Sequence, residues 1–227
     1  MCGRFSLSAK PENLATQFVL PFLPEISPRW NITPGTPISA VRVSPEGKHS
    51  LTGLEWGLIP SWSKDASMGR KLANARAETI HEKPSFRGAF RDRRCVIPAD
   101  GYYEWKVGED GKKRPWYFRM KDDGLFGFAG LWETWTSPEG EVRETCCLLT
   151  IRPNELCATV HDRMPVILPF EDHDMWLDPD YKNTNFLLAV IRPFPAEQMK
   201  TWPVGLKVNN PRANGPELAI PLDDAQS

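Results

Sequence analysis

A chain of 227 residues that is 41% hydrophobic, 11% aromatic and 25% charged can bury a sizeable core, which excludes disorder as its dominant state. The formal net charge of −1 excludes bulk basicity, so any anion-binding surface must come from uneven placement of charge. Five cysteines without C-x-x-C spacing fit neither a disulfide framework nor a zinc knuckle, and Met1-Cys2-Gly3-Arg4 lacks the apolar run of a signal peptide.

The first predicted element is a helix from Pro11 to Phe18. Strands are predicted at Ile38 to Val43 and Leu51 to Trp56, where apolar or β-branched residues recur. Further strands follow at Arg94 to Pro98, Tyr102 to Val107, Pro115 to Met120, Phe126 to Trp132 and Thr145 to Ile151, most of them joined by Gly, Pro or Asp. A helix from Asn154 to Val160 has Pro153 and Asn154 as start signals, and others are predicted at Phe170 to Leu177 and Asn183 to Val190. Twenty-two prolines argue against long helices, and their spread along the chain leaves no linker. The expected fold is α+β: a single domain over 1–227 around a curved, mainly antiparallel, barrel-like sheet with a few short helices, the stretch after about residue 210 being a candidate tail. No run approaches the ~20 apolar residues of a membrane span, so a cytoplasmic location is expected, or a nuclear one in a eukaryote. Nothing calls for an oligomer.

Charge is uneven along this frame. Between Lys64 and Arg94, the cations Lys64, Arg70, Lys71, Arg76, Lys83, Arg87, Arg91, Arg93 and Arg94 outnumber Asp65, Glu78, Glu82 and Asp92, whereas Glu171 to Asp180 is acidic without Lys or Arg. A basic surface beside Trp56 and Trp62 suits nucleic acid, because phosphates need cations and unstacked bases need aromatic faces; a solvated face is the alternative.

Cys2 is the most informative residue. A small side chain at position 2 permits removal of Met1, and an N-terminal cysteine is a 1,2-aminothiol. Its amine can form a Schiff base with an aldehyde, and its thiol can then close onto that carbon as a thiazolidine. An α-amine with a pKa of about 7.7–8.0 is partly neutral at physiological pH, and a modest local field would activate the thiol. An incidental cysteine beside the start is the plainer alternative. Glu104, within Gly101-Tyr102-Tyr103-Glu104-Trp105, stands between bulky aromatics whose burial should raise its pKa and fit it for proton shuttling; an outward-facing strand Glu is the alternative. In His161-Asp162-Arg163, the imidazole is a proton carrier that Asp162 could orient, and Arg163 could hold a phosphate. Asn74 and Arg76 point the same way if their segment is extended, giving an amide for a sugar hydroxyl and a cation for a phosphate, with Glu78 as a partner for Arg76; a helix start capped by Asn74 is the alternative. The remaining histidines show no metal-ligand spacing, so no metal is expected, and no cofactor is indicated.

Four stretches taken together, Met1-Cys2-Gly3-Arg4-Phe5, Asn74-Ala75-Arg76-Ala77-Glu78-Thr79, Cys95 to Trp105 and His161-Asp162-Arg163-Met164-Pro165, resemble the SOS response-associated peptidase (SRAP) family. Asn31 to Gly35 and Trp56 to Trp62 match too, so the resemblance runs over nearly the whole chain. It implies a DNA-repair protein that loses Met1 and cross-links through Cys2 to the ring-opened aldehyde of an abasic site in single-stranded DNA. Carried over by position, Cys2 is the nucleophile, Asn74 steadies the opened sugar, Glu104 is the acid/base group and His161 its partner. Arg4, Arg76, Thr150 and Arg163 are implied as DNA-backbone contacts. Trp62, with Pro34, is implied as an apolar edge against the bases, although Ser63 stands where some members carry a second Trp. Protection of the site should dominate, with weak lyase activity. Two rival readings remain: an N-terminal-nucleophile amidohydrolase or peptidase, and a noncatalytic single-strand binder in which Cys2 is incidental.

Overall fold

The computed structural model describes residues 2–222. Its first half holds β1 (Phe5–Leu7), α1 (Pro11–Gln17), β2 (Arg29–Ile32), β3 (Pro37–Val43), β4 (His49–Trp56), β5 (Asn74–Arg76), α2 (Arg87–Asp92), β6 (Arg94–Ala99) and β7 (Gly101–Val107). There follow β8 (Lys113–Met120), β9 (Phe126–Thr136), β10 (Val142–Ile151), α3 (Glu155–Ala158), β11 (Met164–Pro165), β12 (Ile167–Leu168), α4 (His173–Leu177), α5 (Thr184–Ala189) and β13 (Met199–Pro203). Every predicted strand is present, several of them longer than expected. The helix expected from Phe170 begins instead as a 3-10 turn, Phe170–Asp172, before α4.

Five strands close on themselves. β4 pairs antiparallel with β3, β3 with β6, β6 with β9 and β9 with β10, and β10 returns to β4 through a short parallel contact at Thr145 and Cys146. The result is the expected α+β architecture, with the barrel widened by β5 and β11 on β10 and by β12 on β9. A second sheet, in the order β13-β8-β7-β1-β2, lies beside it.

Alternation along the strands separates two cores. Tyr102 faces the main core and stacks on Phe118 at 4.8 Å between centroids, while Tyr103 faces a smaller cluster with Tyr117, Val204, Val208 and Leu218. Large side chains with no exposure, such as Trp56 and Trp176, each stabilise the fold by about 1.5–3 kcal/mol or more through removal from water. The burial of Trp56 corrects one expectation: its indole donates to the Ala73 carbonyl at 2.8 Å inside the core, so it offers no face to a base.

The candidate tail is also corrected as far as Leu222. Leu218 inserts into the smaller cluster, Trp202 donates to the Ala219 carbonyl at 2.9 Å, and Val204 bridges to Pro221. The expected tail residues 223–227 lie outside the described residues. Among the described residues, no helix is long and apolar enough to cross a membrane.

Candidate active site

Glu104 owes its position to strand period. It shares the inward face of β7 with Tyr102, two residues earlier, so a carboxyl group ends up 3% exposed. Burial raises its pKa, and the charge of nearby His161 works in the opposite direction.

β1 brings Cys2 alongside. Phe5 is opposite Tyr102 in the antiparallel register, and the Tyr103 N–H donates to the Arg4 carbonyl at 2.9 Å, so the segment before β1 runs along Glu104. Cys2 is fully buried. Burial first, and the Glu104 carboxyl second, push its thiol well above the ordinary range. Burial thus opposes the thiol activation expected from the sequence.

β5 supplies the third wall. It pairs parallel with β10, Asn74 opposite Leu148 and Arg76 opposite Thr150, so the segment is extended and not a capped helix start. The Asn74 Nδ2 donates to the Cys2 carbonyl at 2.8 Å, while its Oδ1 is buried without a hydrogen-bond partner. That acceptor is costly to leave unmade and suits an incoming hydroxyl. Arg76, on the same face of the strand, is exposed.

The fourth group arrives from α3. Asn154 caps this helix by accepting the Cys157 N–H at 2.8 Å, and the Cys157 carbonyl accepts the His161 N–H at 2.9 Å where the helix ends. His161 Nε2 then lies 3.9 Å from Glu104 Oε2, within ion-pair range but longer than a hydrogen bond. Its Nδ1 accepts the Arg163 N–H at 3.0 Å and also lies 3.0 Å from Asp162 Oδ1. Nδ1 as acceptor of the Arg163 N–H places the ring proton on Nε2, toward Glu104, whereas an Nδ1 that carries a proton can donate to Asp162.

Cys2, Asn74, Glu104 and His161 therefore converge from four distant chain segments. The other candidates are less uniform. Arg163 is bidentate to Glu78, at 2.7 and 2.9 Å, and also donates to the Thr150 carbonyl at 2.6 Å. Glu78 thus pairs with Arg163 and not with Arg76 as expected from sequence. Thr150 is fully buried, its hydroxyl facing the Ala75 carbonyl at 3.4 Å. Arg4 donates to Asn31 Oδ1 at 2.8 Å and to the Val208 carbonyl, and its guanidinium lies over Trp105. Pro34 and Trp62 are exposed. Pro34 precedes Gly35, whose φ of +81° is the left-handed conformation that the second central residue of a type II turn requires. Trp62 sits on a turn pinned by the Trp135 indole, which donates to the Ser63 carbonyl at 2.7 Å.

Two neighbours of the site escaped the sequence reading. Tyr102 contacts the Cys157 sulfur at 3.1 Å, tying the strand that carries Glu104 to the helix that positions His161. Tyr102 could have been found from its shared face with Glu104, whereas nothing local marked Cys157.

The profile of a family described as SOS response associated peptidase (SRAP) matches residues 1–211. The chain is 43% identical over 221 residues to the abasic site processing protein YoqW of Bacillus subtilis, covering 96% of this chain and 98% of that protein. It is 32% identical over 197 residues to the abasic site processing protein HMCES of Gallus gallus, covering 76% of this chain and 58% of that one. A crystal structure of a protein from Bacteroides thetaiotaomicron superposes with a TM-score of 0.84 at 28% identity, over 97% of this chain and all of that one.

Proposed function

Because this chain belongs to the SOS response associated peptidase family, we propose that it processes abasic sites in single-stranded DNA by forming a covalent thiazolidine through Cys2 after removal of Met1. The observation that carries this reading is the convergence of a buried thiol, an amide with an unfilled acceptor, a carboxyl of raised pKa and an imidazole around one chain end.

The chemistry balances without a cofactor. The Cys2 amine adds to the C1′ aldehyde of the opened sugar, giving a carbinolamine. Glu104, whose pKa is raised by burial, gives its proton, when protonated, to the departing hydroxyl, which leaves as water and forms the iminium. The resulting carboxylate takes the proton of the Cys2 thiol as sulfur attacks the same carbon, so ring closure regenerates the acid. His161, with its proton on Nε2 toward Glu104, exchanges protons with that carboxyl. The Asn74 Oδ1 accepts a sugar hydroxyl, and Arg76 meets a backbone phosphate. Arg4, Arg163 and Thr150 shape this wall and adjoin the strand, and Pro34 and Trp62 form its apolar edge. Ring closure also removes the iminium, whose acidified neighbouring carbon would otherwise undergo β-elimination, so protection of the strand dominates over lyase activity.

The amidohydrolase reading uses the same first residue, with the freed amine as base, and is separated by its substrate: it would turn over a small amide and form no stoichiometric adduct. The test is a denaturing gel with intact mass. Wild type should lose Met1 and form a denaturant-resistant adduct with a strand carrying one abasic site, and none with an undamaged strand or with Cys2→Ala. A mature Cys2 that forms no adduct would overturn the proposal.

A further inference from the structure

The acidic run from Glu171 to Asp180 takes no part in the Cys2 site, and the fold sets it beside an apolar ridge. The ridge begins where α1 ends in a Schellman arrangement: the Leu20 N–H donates to the Ala15 carbonyl at 2.9 Å and the Val19 N–H to the Thr16 carbonyl at 3.4 Å. The left-handed position that this motif usually gives to glycine is held by Val19, a β-branched residue at φ +53°. Its side chain is 59% exposed, so burial in this chain does not offset the backbone strain. Phe22, 82% exposed, and Leu23 continue the ridge into the adjoining cleft. Phe18 anchors it, being buried and stacked on His173 at 5.6 Å, with its carbonyl 2.8 Å from His49 Nδ1. Between the ridge, the β3–β4 hairpin and the stretch around α4 runs a groove of about 940 Å³. Val19, Leu20 and Phe170 supply apolar walls, and Glu171, Asp174, Asp178 and Asp180 line it, with Lys48 the one Lys or Arg among its described lining residues. Asp174 lies 3.2 Å from His49 Nε2, yet its side chain is still 90% exposed.

We propose that this groove docks a basic amphipathic segment of a protein partner, whose apolar face covers Val19, Leu20 and Phe170 while its Lys or Arg side chains meet the acidic wall. Three observations support it. Charge complementarity selects the occupant: four carboxylates attract cations and repel the phosphates of a nucleic acid. Val19 departs from the local backbone rule without gaining burial, and a partner that covers its side chain supplies that gain. The exposed large apolar side chains are also gathered, Val19 and Phe170 in the groove and Phe22 and Leu23 across Leu20 and Pro21, where a monomer usually scatters them singly. None of Cys2, Asn74, Glu104 and His161 lines the groove, so a partner can hold the chain while its Cys2 end is engaged.

The test needs no DNA, so it stands whether or not the Cys2 reading does. The probe is a labelled synthetic peptide of about fifteen residues with Leu along one helical face and Lys elsewhere, and its control carries Glu in place of Lys. In fluorescence anisotropy with the full chain, the Lys peptide should bind at least about tenfold more tightly than the Glu peptide. Val19→Gly should weaken the Lys peptide about tenfold while leaving the urea midpoint of the free protein unchanged or higher, since glycine relieves the left-handed strain. Glu171→Gln with Asp180→Asn should weaken it by a similar factor and flatten its salt dependence. Hydrogen exchange should place the peptide's protection at residues 19–23 and 170–180. Equal binding of the two peptides, affinity unchanged in the variants, a lower urea midpoint for Val19→Gly, or protection elsewhere would overturn the proposal. A concentration-dependent dimer of the free protein that Phe22→Asp disperses would also overturn it, by assigning this face to a second copy of the chain.

Discussion

Glu104 and Cys2 explain one another at the scale of single residues. A carboxyl group 3% exposed keeps its proton above the usual glutamate range, and burial does the same for the thiol, so in the proposed reaction Glu104 must first give up its proton before it can take that of the sulfur. Glu104→Gln removes that carrier and should slow adduct formation about a hundredfold, read as the appearance of the denaturant-stable band; an unchanged rate would remove Glu104 from the chemistry. Cys2→Ser separates amine from thiol. Its amine still condenses with the aldehyde, but the poorer hydroxyl nucleophile leaves the reaction at the iminium, so the stable adduct should give way to one trapped only by borohydride, with more strand cleavage. A stable, borohydride-independent adduct in Cys2→Ser would show that sulfur is not in the linkage.

At the scale of elements, the alternation of β7 does most of the positioning, and Gly101 at its start lets the second sheet close. A Cβ on Gly101 would fall 2.0 Å from the Tyr117 hydroxyl, which hydrogen-bonds Ser6 at 2.8 Å. Gly101→Ala should therefore destabilise the protein by about 1–3 kcal/mol or more, measured by urea unfolding, and a neutral result would mean that this layer repacks freely. The long strands were legible because their apolar alternation is local. β1, β5 and β11 were not, since segments of two or three residues carry no period and are held by partners far along the chain. The short parallel contact that closes the barrel has no local signature either. α2 escaped because its buried side rests on Ala89 and Phe90 alone. The burial of Glu104 was legible from its aromatic flanks. The pairing of Arg163 with Glu78 was invisible because 85 residues separate them. Trp56 carried a signal that was overlooked: it alternates with Glu55 and shares an inward face with Leu54.

For the whole molecule, a buried acid makes stability depend on pH. Glu104 holds its proton more tightly in the folded than in the unfolded state, so its contribution is complete below the ordinary glutamate range and is lost as pH rises through the raised folded-state value. Glu104→Gln cannot titrate. Its melting temperature should gain on that of wild type as pH rises from about 4 to about 8; a constant gap in thermal melts would mean that burial does not bias the carboxyl. The larger claim is that a barrel, a second sheet and one short helix deliver four groups to a single chain end so that it captures an aldehyde. The most direct measurement is peptide mass mapping of the adduct after nuclease and protease digestion, with thiol- and amine-specific reagents applied first. The account predicts the opened sugar on the peptide beginning at Cys2, joined with loss of one water, and with amine and sulfur both blocked. A sugar on any other residue, or a Cys2 thiol still open to alkylation, would contradict it.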